Sequence, residues 1–186
     1  MSRNKLLSGI AVFVFAAFLV YGMAGSGEMQ QVEQQQTAQT AASELSPLGF
    51  KLKNVNGDLF DMNSLKGKVV LIDFWDTWCP PCKKGIPEFV EMKEKYKDNE
   101  NFEIVGIAFG RDGFETVQKF AKEYEMNYPV LVLDNDQYGN IMQVYGSINS
   151  IPTAFIINKE GKIQFKQQGY APASAFEEAV IPLLDK

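Results

Sequence analysis

Val69–Pro87 reads VVLIDFWDTWCPPCKKGIP, and the order of its parts decides the fold. Val69 to Phe74 is a short apolar run, rich in β-branched residues, with one acid in it, Asp73. Such a run reads as a strand buried on both faces, the kind found in the middle of an α/β sheet. Trp75 to Trp78 leads into Cys79-Pro80-Pro81-Cys82, and from Lys83 to about Tyr96 the polar–apolar pattern takes a helical period. Strand, CxxC and helix in that order place Cys79 at the N-terminal end of a helix. Unpaired N–H groups and the positive end of the dipole favour an anion there. A thiolate is such an anion, so Cys79 is expected to be a nucleophile near neutral pH.

Two blander readings of a CxxC weigh less. A structural zinc site takes four N or S ligands, and the chain has 2 Cys and 0 His, which all but excludes zinc held by protein ligands alone. A purely structural disulfide between Cys79 and Cys82 would close a very short loop and constrain the unfolded chain little. Redox chemistry is the reading that the flanking strand and helix favour.

With 186 residues, 46% of them hydrophobic, the chain is long enough for one ordinary globular domain once its N-terminus is set aside. A formal net charge of −5 and no basic stripe argue against a nucleic-acid partner. The chain opens MSRNK and then carries no charge from Leu6 to Gly27. A cleaved signal has an apolar core of roughly 7–15 residues, whereas a bilayer span takes about 20. Residues 1–27 therefore read as a membrane anchor, positive end inside, with the rest of the chain outside the cytoplasm. Small residues at Ala24, Gly25 and Ser26 keep cleavage open, in which case the product is secreted. Residues 28–46, rich in Gln, Ala and Thr, read as a flexible linker, and residues 47–186 as the folded domain.

Within that domain, Phe50, Leu52 and Val55 alternate with polar residues, and Asn56-Gly57 signals a tight hairpin before Leu59-Phe60. Met62–Leu65 reads as a single turn. Phe102–Phe109 is a second buried strand, Gly113–Tyr124 a helix, Tyr128–Leu133 a short strand and Gln137–Tyr145 a helix. Thr153–Ile157 and Lys162–Gln167 flank the turn Asn158–Gly161, and Ser174–Leu184 closes the chain as a helix. The class is α/β: a central mixed sheet flanked by helices, opening with a β-hairpin.

FWxxWCPPCK, Pro87 five residues after the second Cys, and Ile151-Pro152-Thr153 ahead of an apolar strand together resemble the thioredoxin superfamily. WCPPC behind an N-terminal anchor is most similar to its TlpA/ResA-type branch of membrane-tethered thiol–disulfide oxidoreductases. The extra strand and helix around Arg111–Leu133 match the insertion typical of that branch, and the resemblance spans roughly Leu48 to Leu184.

The resemblance implies roles. Cys79 would be the exposed nucleophile that forms a mixed disulfide, and Cys82, shielded one turn on, would resolve it. Asp73 matches the buried acid of thioredoxins and would take the proton of Cys82 as it attacks. The Lys that thioredoxins place near that acid has no counterpart in Ile104–Phe109. Pro152 is expected to be cis and to face the CxxC, with the backbone of Ile151 pairing with an extended substrate. Pro80 and Pro81 remove two N–H donors and tune the site, in a direction the sequence leaves open. Trp75 and Trp78 would pack over the disulfide, with substrate contact as the second reading for Trp78. Asp76, where the branch usually has Ala, is expected to be solvated or paired with Lys83 or Lys84. Asp112 is a weaker candidate for the acid this branch often carries beside its site.

The implied function is an extracytoplasmic thiol–disulfide oxidoreductase at the inner membrane, its domain in the periplasm or the equivalent space. It would reduce protein disulfides specifically, for example those of apocytochrome c in cytochrome c biogenesis, with electrons from a transmembrane thiol donor. It would need no cofactor or metal beyond the redox-active Cys79–Cys82 pair. A thiol peroxidase of the same fold and a non-catalytic thiol or metal chaperone are the alternatives.

Overall fold

The computed structural model of the chain describes residues 46–185, so the anchor and most of the linker read from the sequence lie outside the described residues. Among the described residues no helix is long and apolar enough to cross a membrane. Seven strands form one sheet: β1 (Lys51–Asn54), β2 (Leu59–Asp61), β3 (Val69–Trp75), β4 (Phe102–Ala108), β5 (Val130–Val132), β6 (Thr153–Ile157) and β7 (Ile163–Gln168). Their spatial order is β2-β1-β5-β4-β3-β6-β7. β3, β4 and β5 are parallel to one another, and the remaining neighbours are antiparallel. The helices are α1 (Pro80–Lys95), α2 (Phe114–Glu123), α3 (Asn135–Tyr145) and α4 (Ala173–Leu184), with a 3-10 turn at Met62–Leu65.

β3 runs through the middle, and all seven of its residues are buried. Successive side chains of a strand point to opposite faces, so β3 feeds two cores. Val69, Leu71 and Trp75 pack with Ile86, Phe89 and Met92 of α1, Phe120 of α2, and Phe176 and Val180 of α4. Val70, Ile72 and Phe74 pack on the other face with Phe50, Met62, Leu65, Ile141 and Tyr145. Phe74 meets Tyr145 and Phe155 edge-on, with ring centroids 5.1 and 5.8 Å apart, a geometry aromatic pairs prefer.

The first hairpin turns more widely than Asn56-Gly57 suggested. Its loop is residues 55–58, held by the Asn54 side chain, whose Oδ1 accepts the N–H groups of Asn56 and Asp58. β5 is shorter than the apolar run Tyr128–Leu133, because Pro129 lacks an N–H for the ladder. α1 begins three residues before the periodic pattern, since proline is well suited to the first helical position.

Candidate active site

Cys79 is the N-cap of α1, with extended backbone (φ −91°, ψ 105°), and its Sγ accepts the N–H of Cys82 at 3.3 Å. Pro80 and Pro81 follow as the first two helical residues. Neither has an N–H, so Cys82 is the first residue of the helix able to donate to that sulfur. Cys79 and Cys82 are joined as a disulfide with Cα atoms 5.3 Å apart. Both residues are only 2% exposed. This corrects the expectation of an exposed Cys79 beside a shielded Cys82: in the disulfide form the two are equally covered.

The Ile151–Pro152 peptide bond is cis and sits at the start of β6, next to β3. Pro152, Pro81, Cys82 and Asp73 line a crevice with Tyr170 and Phe176. Its volume is about 10 Å³, on the order of one water molecule. Tyr170 is held there by Glu88 of α1, whose carboxylate accepts the Tyr170 hydroxyl and, at 2.8 Å, the N–H of Ala173. Glu88 is thus tied into the wall of the site. Nothing in the sequence marks Tyr170, which arrives from the turn after β7.

Asp73 is 3% exposed, and its Oδ1 has no hydrogen-bond partner in the protein. Burial penalises the charged form and pushes its carboxyl up to about 7. Across the β3–β4 ladder its neighbour is Gly106. That glycine makes room for larger groups: a Cβ there would lie 2.9 Å from Trp75 Nε1 and 3.3 Å from the ring of Tyr128. Burial and the nearby Asp73 carboxyl raise the Tyr128 hydroxyl well above its ordinary value. Trp75 is fully buried, its ring 5.0 Å from that of Phe120. It packs below the site, while Trp78 stands 46% exposed beside it.

Asp76 is neither solvated nor paired with Lys83 or Lys84. It is fully buried, and its Oδ1 and Oδ2 accept the backbone N–H groups of Thr77 (2.8 Å) and Arg111 (3.2 Å). Asp112 belongs to the same arrangement, accepting the Thr77 hydroxyl at 2.8 Å. The Arg111 guanidinium lies over the Trp78 ring, 5.3 Å from its centroid. Residues 76–78 are therefore interlocked, side chain by side chain, with the Gly110–Gly113 loop. Both glycines framing that loop have positive φ (66° and 88°), which lets it turn sharply enough to reach.

Residues 46–166 match the family model described as the AhpC/TSA family. The thiol–disulfide oxidoreductase ResA of Bacillus cereus is 30% identical over 181 residues, 96% of each chain. ResA of Bacillus subtilis is 39% identical over 114 residues, 61% of this chain and 60% of that one. Among solved structures, a thiol:disulfide interchange protein of the thioredoxin family from Chlorobium tepidum superposes with a TM-score of 0.64 at 29% identity. It covers 73% of this chain and 92% of its own. StoA from Bacillus subtilis gives a TM-score of 0.58 at 27% identity, over 69% of this chain and 93% of its own. Sequence, fold and cysteine pair agree: the chain belongs to the AhpC/TSA family and is a ResA/TlpA-like thiol–disulfide oxidoreductase of the thioredoxin superfamily.

Proposed function

We propose that this oxidoreductase works as a reductant of protein disulfides, tethered by residues 1–27 to the inner membrane with its domain in the periplasm or the equivalent space. Cleavage of the tether would make it a secreted protein. Apocytochrome c is the substrate proposed, and a transmembrane thiol donor the source of electrons.

The observation that carries the direction of electron flow is the start of α1. A dithiol couple becomes oxidising when its reduced form is stabilised, and helix N–H groups are one means of stabilising a thiolate. Pro80 and Pro81 withhold two of them, leaving the N–H of Cys82 as the donor to Cys79 Sγ. Asp73 and Asp76, two buried carboxyl groups close by, add nothing that favours a second negative charge. The reduced form is left poorly stabilised, and such a pair gives its electrons away.

The Cys79 thiolate attacks a substrate disulfide; a Cys79–substrate bond forms, the substrate bond breaks, and the leaving sulfur takes a proton. Cys82 then gives its proton to Asp73 across the shared crevice and attacks Cys79 Sγ, releasing the second substrate thiol. Two electrons pass to the substrate, and Cys79–Cys82 ends as the disulfide. Pro152 and Ile151 present backbone at the edge of the site, where an extended substrate would pair. Trp78, beside Cys79, is open to contact it.

A peroxidase or a non-catalytic carrier fits less well: the chain's two cysteines are bonded to each other, with none left to act as a separate peroxidatic thiol. The test uses reduced full-length protein in detergent and an oxidised CxxCH peptide. One peptide disulfide should be reduced per protein. Cys82→Ser should stop at a mixed disulfide on Cys79, and Cys79→Ser should be inert. If Cys82→Ser turns over like the parent, or the reduced protein leaves the peptide oxidised, the proposal is wrong.

A further inference from the structure

Beside Trp78 lies a groove of about 190 Å³ lined by Trp78, Phe109, Arg111, Tyr138, Ile148 and Ile151. Trp78 and Tyr138 are 46% and 48% exposed, among the few large apolar side chains open to solvent in the described residues. No acid lines the groove. Arg111 makes no salt bridge among the described residues. The acids nearest it in the loop are engaged elsewhere, Asp76 with the two backbone N–H groups and Asp112 with the Thr77 hydroxyl. In a chain of net charge −5, Arg111 thus presents a guanidinium without a salt bridge among the described residues, lying over Trp78, the residue before Cys79.

A guanidinium laid over an indole ring loses little of its hydrogen-bonding capacity. Its fork of N–H donors can still meet a carboxylate, and its orientation is already fixed. Trp78 precedes Cys79 and Ile151 precedes Pro152, so the groove adjoins both sides of the position where a substrate sulfur would sit. A segment running along the Ile151 backbone would send side chains flanking its cysteine into this space, with aromatic walls around them.

We infer that this groove is a specificity subsite for a carboxylate side chain, Asp or Glu, flanking the cysteine of an extended substrate, with Arg111 as its partner. The inference rests on the protein-disulfide reading above and adds the chemical class that the site prefers.

The test compares three peptide disulfides that differ only in having Glu, Gln or Lys beside the cysteine, reduced by full-length protein in detergent. An exposed ion pair is worth up to about 1 kcal/mol, so the second-order rate constant for reduced protein with the Glu peptide should exceed that with Gln by up to about fivefold at low salt. The ratio should shrink in about 1 M salt, where screening acts within about 3 Å. Arg111→Gln should bring the Glu/Gln ratio to about one, Arg111→Lys should keep part of it, and Arg111→Glu should make the Lys peptide the best substrate. Because each result is a ratio measured on one sample, a partly unfolded variant lowers both rates and leaves the ratio intact. Equal rates for all three peptides would overturn the inference and leave the reductant reading standing. A Glu preference that survives Arg111→Gln would overturn it as well. If no peptide is reduced, both fall.

Discussion

At Asp73 the chain places a carboxyl on a strand with no exposed residue, and burial pushes it up to about 7. An unfolded Asp titrates near 3.9. Between about pH 4 and 7 the folded protein therefore holds a proton that the unfolded chain has lost, so the contribution of Asp73 to stability falls as pH rises through that window. In urea unfolding of the oxidised protein, Asp73→Asn should match the parent in this term below about pH 4. Above pH 7 it should gain up to about 4 kcal/mol over the parent, the linkage value of a carboxyl that titrates at about 7 folded and near 3.9 unfolded. A difference between the two proteins that does not change with pH would show that Asp73 is not held protonated. The buried acid and the two cysteines were legible in the sequence because local order marks them, an acid inside an apolar run and a CxxC before a helix, whereas Pro152 was legible only through the resemblance carried by Ile151-Pro152-Thr153. Asp76 was not legible. Lys83 and Lys84, just past the CxxC, suggest a solvated ion pair for it, whereas one of its partners is a backbone N–H 35 residues further on, which no local pattern reveals.

The contacts of Asp76, Thr77 and Trp78 join the turn before α1 to the Gly110–Gly113 loop after β4, and Asp76 is the centre of that joint. Asp76→Ala leaves the Thr77 and Arg111 N–H groups without an acceptor. Such losses cost about 1–3 kcal/mol, and the midpoint of denaturant unfolding should fall accordingly. Amide exchange at Thr77 and Arg111 should quicken more than at β3. Unchanged exchange at those two amides would mean that the loop is held by something other than Asp76. The elements themselves were largely readable, since hydrophobic period and turn residues mark each one. Their ends were less so, for reasons of backbone chemistry: Pro80 extends α1 backwards, Pro129 shortens β5, and Asn54 widens the first hairpin.

Across the whole domain, the candidate active site lies where the C-terminal end of β3, the N-terminus of α1 and the cis-proline entry to β6 meet, and the strand order brings them there. Alternating strands and helices in the sequence indicate an α/β sheet, but not that the first hairpin attaches through β5 or that the turn after β7 walls the cysteine pair. Those placements depend on contacts distant in sequence, so Tyr170 and the Arg111 groove appear only in three dimensions. In the reading proposed above, Cys79 and Cys82 form a reducing couple because the start of α1 gives the thiolate few donors. The most direct test is the reduction potential of full-length protein equilibrated in thiol buffers, followed by the fluorescence of Trp75 and Trp78. A value near or below about −230 mV is predicted. One between about −120 and −180 mV would make the protein an oxidant or isomerase and rule out its role as a reductant.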